Sequence, residues 1–155
     1  EPRVHAWVFV DRDQARADAE RRAEELRRGQ YRGPLHGIPL AIKDIFDVFD
    51  WPTAAGSRLW ANSVARQDAT VVHRLRQAGA VFLGKTVTTQ YASFDPPVTR
   101  NPWKLDRTPG GSSSGSAAAW RVKGLGIFTF SVGDFPLTGG LRSPARAVFA
   151  TDVLV

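Results

Sequence analysis

Short apolar runs separated by longer charged or mixed stretches set the pattern of this chain. Residues 4–10, VHAWVFV, form the first run and read as a strand. Ala15, Ala19, Ala23 and Leu26 then recur at helical spacing, with Asp11 or Asp13 placed to cap the helix and Gly29 to stop it. That face is thin and built of small residues, which predicts a helix on the outside of a domain. Residues 35–49, LHGIPLAIKDIFDVF, hold a strand-like apolar run interrupted by Lys43. A second helix is expected from a cap at Asp68 through Ala78, with Val71, Val72 and Leu75 buried and Gly79 as its C-terminal stop. AVFLGK, rich in strand formers, follows at once. Helix, glycine, strand is α/β connectivity, so the expected architecture is a mixed β-sheet covered by helices. Residues 95–111 carry four prolines and read as loop. No internal repeat and no heptad pattern interrupts this reading.

Composition narrows the classes. At 155 residues, 43% hydrophobic and 23% charged, the chain can bury one core and is not of the disordered kind. No apolar run approaches the roughly 18 residues of a membrane span and no signal-peptide pattern opens the chain, so no membrane partner is expected. Zero cysteines excludes disulfides, cysteine-ligated zinc and a thiol nucleophile, and fits the reducing cytoplasm. The chain starts at Glu1, has no methionine and ends in an apolar TDVLV, which reads as a piece of a larger protein. The net charge of +6 invites a nucleic-acid reading. Its distribution argues otherwise: Asp11 to Arg28 holds six acids and six bases, and the basic excess is arginine scattered along the chain. Solvated surface charge is the better reading, and no nucleic-acid partner is expected.

Two stretches carry candidate chemistry. Lys43 lies among Ile38, Leu40, Ile42 and Ile45. It is either an exposed lysine paired with Asp44 or a buried one, and burial lowers the pKa of an ammonium group by disfavouring its charge. A neutral lysine can take a proton from a serine hydroxyl. The second stretch is TPGGSSSGSAAAW at 108–120. Its composition suits a flexible linker, yet Pro109 stiffens the entry and Ala117 to Ala119 offer a helix start. A loop running into a helix gathers backbone N–H groups that suit an anion or an oxyanion. No lysine follows Gly115, so it is not a Walker A loop. His5, His36 and His73 are widely separated and read as structural or surface residues. Without clustered acids or an H-x-x-x-H pair, no metal is expected.

Taken in order, PLHGIPLAIKD at 34–44, DATVVHRLRQAGAVFLGKTVTTQYA at 68–92 and RNPWKLDRTPGGSSSGSAAA at 100–119 closely resemble the amidase signature family. The resemblance implies part of the amidase-signature fold, acting on a small-molecule amide without a cofactor. It implies hydrolysis or transfer of linear carboxamides by a serine–serine–lysine triad. Lys43 matches the catalytic lysine. Ser112, the first serine after Gly110-Gly111, matches the bridging serine, and in that family the peptide bond entering this serine is cis.

The family nucleophile follows a later Thr-Gly-Gly run, whose backbone forms the oxyanion hole. Thr138, Gly139 and Gly140 match its remnant, but Leu141 follows and offers no nucleophilic atom. Ser131 and Ser143 are the remaining downstream serines, and neither stands at that place. Residues 1–33 are thus expected as a peripheral strand and helix and 34–119 as the catalytic portion. Residues 120–155 read as a divergent or frameshifted segment that begins at Trp120. The expectation is an amidase-type chain that is itself inactive. The alternatives are a protein like the A subunit of a tRNA-dependent amidotransferase and a non-catalytic anion-binding module.

Overall fold

The computed structural model describes residues 1–93, 95–123 and 128–130. A four-stranded mixed sheet runs in the order β1-β3-β2-β4. Its strands are β1 (Trp7–Val10), β2 (Pro39–Lys43), β3 (Val81–Thr86) and β4 (Phe128–Phe130). β3 pairs antiparallel with β1, and β2 pairs parallel with both β3 and β4. The expected mixed α/β sheet is present. Among the described residues three α-helices accompany it: α1 (Arg12–Arg27), α2 (Thr70–Gln77) and α3 (Ser114–Lys123).

β2 shows how sequence becomes sheet. Successive side chains of a strand point to opposite faces. Leu40 and Ile42 therefore share one face, where they join Val48, Trp51, Val72, Ala80 and Phe82 in the main core. Val71 and Leu75 of α2 pack against that cluster from its edge. Ala41 and Lys43 point the other way, toward the side where α3 lies. A smaller cluster of Val4, Ala6, Ala118 and Ala119 holds α3 to the chain's beginning.

β3 does not run regularly beside β2. Leu40 pairs with Phe82 and Ala41 with Gly84, so Leu83 is an extra residue on β3, a β-bulge. Beyond it the register continues as Ile42 with Lys85 and Lys43 with Thr86. The glycine after the bulge is required by close approach: a Cβ at Gly84 would meet the Phe9 carbonyl oxygen at 2.1 Å.

Three expectations need correction. The first strand starts at Trp7 rather than Val4. Val4 and Ala6 are buried outside it, and His5 between them has a φ of 54°, which breaks the extended run. Asp68 does not cap α2. Ala69 is the N-cap, while the Asp68 carboxylate accepts from Phe49 N at 2.7 Å and pairs with Arg76 at 2.7 Å, tying two chain segments together instead. α1 does turn Ala15 inward, but Ala19, Ala23 and Leu26 are exposed; the inward stripe continues through Asp18, Arg22 and Glu25. This stripe has the same helical spacing and wins because it finds ionic partners. Glu25 binds Arg22 at 2.7 Å and Arg32 at 2.6 Å, and His36 Nε2 lies 2.7 Å from the Arg22 carbonyl oxygen. His36 is therefore a structural residue, fastening the turn after α1. The Asp11 cap is as expected, accepting from Gln14 N at 2.9 Å. Among the described residues, no helix is long and apolar enough to cross a membrane.

Candidate active site

Lys43 ends β2 with its side chain 1% exposed, and its Nζ donates to Ser112 Oγ at 2.6 Å. Residues 69 apart in sequence thus meet. Burial among apolar neighbours lowers the Lys43 pKa from 10.5 to about 8, because the charged form loses its hydration. Asp44, the alternative partner suggested by the sequence, turns to the opposite face of the sheet. There its Oδ1 lies 2.9 Å from Lys85 Nζ in a pair that is at most 1% exposed.

The buried pair organises the surrounding chain. Lys85 donates to the Pro52 carbonyl and to Thr53 Oγ1, each at 3.0 Å. Asp44 Oδ2 accepts from Ala54 N at 3.3 Å, and its backbone carbonyl accepts from Ala55 N at 2.9 Å. Burial raises the Asp44 pKa and lowers that of Lys85, and in each the partner's charge opposes the shift.

Ser112 is held from the backbone. Its carbonyl accepts from Thr89 N at 3.0 Å, and the peptide bond entering it from Gly111 is cis. Gly111 lies so near Thr89 that an added Cβ would stand 2.8 Å from Thr89 Cγ2. The serine-glycine stretch is therefore a fixed loop, not a linker. It leads directly into α3, which starts at Ser114, ahead of the alanines expected to open it. The remaining serines divide by burial. Ser114 is fully buried and donates to the Gly110 carbonyl at 2.8 Å, and Ser116 is buried within 2.9 Å of Thr86 Oγ1. Ser112 and Ser113 are half-buried. Gly115 lets the helix approach β3, with Gly115 N donating to the Val87 carbonyl at 2.9 Å.

Of the residues singled out from sequence, Lys43 and Ser112 come together. Thr138, Gly139 and Gly140 lie outside the described residues. Sequence reasoning missed the Asp44–Lys85 pair and the backbone contact of Thr89. Lys85 carried the same signal as Lys43, a lysine inside an apolar strand run. Among the described residues, no group of three or more His, Asp or Glu side chains comes together to hold a metal.

Two lysines enter the interior here: one is balanced by a carboxylate, and the other faces a serine hydroxyl. The amidase family model matches residues 1–134. The chain belongs to the amidase family. That match extends beyond Ala119, where the sequence pattern was expected to break, and β4 pairs with β2 beyond the same point.

Relatives and solved structures agree. The chain is 46% identical to the A subunit of glutamyl-tRNA(Gln) amidotransferase from Acidothermus cellulolyticus, over 77% of this chain and 25% of that protein. It is 47% identical to the protein of the same name from Salinispora arenicola, over 97% and 35%. The latter alignment spans 175 positions against a chain of 155, so parts of the relative have no counterpart here. The native peptide amidase of Stenotrophomonas maltophilia superposes with a TM-score of 0.70 at 42% identity, covering 76% of this chain and 26% of that one. A bacterial aryl acylamidase of the amidase signature family superposes at 0.67 with 30% identity, over 76% and 26%. The amidase chain thus spans about a quarter to a third of the proteins it matches.

Proposed function

We infer that this chain carries the proton-transfer half of an amidase site for linear carboxamides, with Lys43 as the base and Ser112 as the relay. The observation that supports it is the 2.6 Å contact between a serine hydroxyl and a buried lysine whose pKa burial lowers to about 8. Near neutrality a useful fraction of such a lysine is uncharged, so it can accept a proton that an ordinary lysine would refuse. A hydroxyl both donates and accepts, so Ser112 can pass a proton from an attacking group to Lys43. Leu141 stands after Thr138-Gly139-Gly140, where a nucleophilic serine is needed, and the chain does not turn over carboxamides on its own.

Two measurements test this. The ¹³Cε resonance of Lys43 should titrate with a midpoint near 8; a midpoint at about 10 or above, as for an ordinary lysine, overturns the base assignment. Incubation with linear carboxamides should release no ammonia; release that Lys43→Ala abolishes overturns the inactivity.

The names of the amidotransferase relatives favour a second reading, a part of a tRNA-dependent amidotransferase. The charge layout supports it poorly, because Arg22, Arg27, Arg28, Arg32 and Arg76 are engaged by carboxylates. A mobility-shift titration with tRNA decides: a shift that resists physiological salt would favour this reading over the stand-alone amidase.

A further inference from the structure

We propose that Ser112 is itself an acyl acceptor, forming with Lys43 a two-residue site that takes acyl groups from esters and thioesters with acidic leaving groups. The proposal rests on the base assignment above but gives Ser112 the attacking role that the family assigns to a later serine.

Geometry selects Ser112. Ser114 and Ser116 are buried, and each is hydrogen-bonded within the protein. Ser113 shares the half-buried position, but it is Ser112 whose Oγ lies 2.6 Å from Lys43 Nζ. Lys43 itself is 1% exposed, so a substrate arriving from solvent meets the hydroxyl before the amine. The loop is held in place by the Thr89–Ser112 backbone bond, which limits the reorganisation needed for attack. α3 starts two residues later, so the positive end of its dipole lies close along the chain to Ser112.

The chemistry closes with these two side chains. Neutral Lys43 Nζ takes the Ser112 Oγ–H proton while Oγ forms a bond to the acyl carbon. The bond from that carbon to the phenolate or thiolate breaks, and the leaving group departs with its electron pair. Lys43 is then an ammonium and returns its proton to water. A phenolate or thiolate needs no proton to leave, whereas the amine of an amide does. The pair alone therefore suits activated esters and not carboxamides, which reconciles a reactive serine with a chain inert to amides. A fluorophosphonate follows the same path, with Oγ bonding to phosphorus and fluoride leaving.

The test uses the whole chain with a fluorophosphonate probe and, separately, p-nitrophenyl acetate. Intact mass and peptide mapping locate the adduct, and p-nitrophenolate absorbance follows the ester. One adduct per chain on Ser112 is expected, absent in Ser112→Ala and unchanged in Ser113→Ala. Lys43→Arg, which keeps the cation but cannot take the proton, should label about 100-fold more slowly or worse. Thermal melts of the variants check that each is folded, and the site mapped in the parent chain decides regardless of them. An adduct on Ser131 or Ser143 that depends on Lys43 overturns the proposal and leaves the relay reading standing. Labelling at Ser113, or no adduct at all, overturns it as well. A Lys43 titration midpoint in the ordinary range overturns the relay reading and this proposal with it, whereas the labelling outcomes above bear on the proposal alone.

Discussion

Replacing Lys43 with methionine should make the protein more stable at neutral pH. Burial lowers the Lys43 pKa from 10.5 to about 8. A displacement of that size acts against the folded state by roughly 3 kcal/mol wherever the unfolded lysine is charged. The direction follows from proton counting. Between pH 8 and 10.5 the unfolded chain binds more protons at this site than the folded one, so stability rises with pH across that window. Below it the penalty is fully present. Methionine has similar length and no charge, but it gives up the Nζ–Ser112 Oγ hydrogen bond, a net loss of about 1 kcal/mol. The expected balance is a gain of about 1–2 kcal/mol at neutral pH that shrinks toward zero or reverses by about pH 10. Urea unfolding at both pH values, followed by fluorescence of the five tryptophans, measures it. Differencing against the parent protein removes the titration of Lys85. A variant no more stable than the parent at neutral pH, or a difference that does not vary with pH, refutes the argument.

Three further predictions concern the same region. Asp44→Asn leaves Lys85 buried without its counter-charge and should cost about 3–5 kcal/mol, most of which Asp44→Asn combined with Lys85→Met should restore; denaturant midpoints of the single and double variants check this. Gly115→Ala would set a Cβ 2.2 Å from the Ala6 carbonyl oxygen and 2.3 Å from Val87 N, both backbone atoms that cannot swing away. It should destabilise by about 1–3 kcal/mol or more and lower the melting temperature, and an unchanged melt would refute the close docking of α3 on β3. Finally, the rate of fluorophosphonate labelling should climb with pH and level off above about 8, following the uncharged fraction of Lys43; a flat profile would remove the lysine as base.

The legible parts of the sequence were those governed by local periodicity. Val71, Val72 and Leu75 were readable as the face of α2 because the helix repeat and the core select the same residues. Asp11 was readable as a cap because capping acts over three residues. Readings failed where a polar side chain had two uses of similar local merit. Asp68 has the residue type of a cap, yet Phe49 N and Arg76 take its carboxylate. The inward stripe of α1 depended on Arg32 and His36, beyond the helix, so periodicity within the helix could not choose between Ala19 and Asp18. Lys43 and Ser112 were named together through the family pattern. Their residue types alone left Lys43 undecided between an exposed pair with Asp44 and a buried base.

That indecision has a structural origin in one bulge. Asp44 follows Lys43, so the pleat turns their side chains to opposite faces and prevents them from pairing along the strand. Strict alternation along β3 would place Lys85 opposite to Phe82, on the same side as Lys43. The extra residue at Leu83 reverses the alternation, so Lys85 pairs beside Ile42 on the core face and Thr86 beside Lys43. Lys85 thereby reaches Asp44, Pro52 and Thr53. Lys43 meets Ser112 on the other face, away from that carboxylate. Desolvation then dominates at Lys43, and its pKa falls toward neutrality. The same sheet so holds one buried lysine beside a carboxylate and one beside a serine hydroxyl. A single inserted residue in β3, and not the composition of either strand, decides which lysine lies beside the carboxylate.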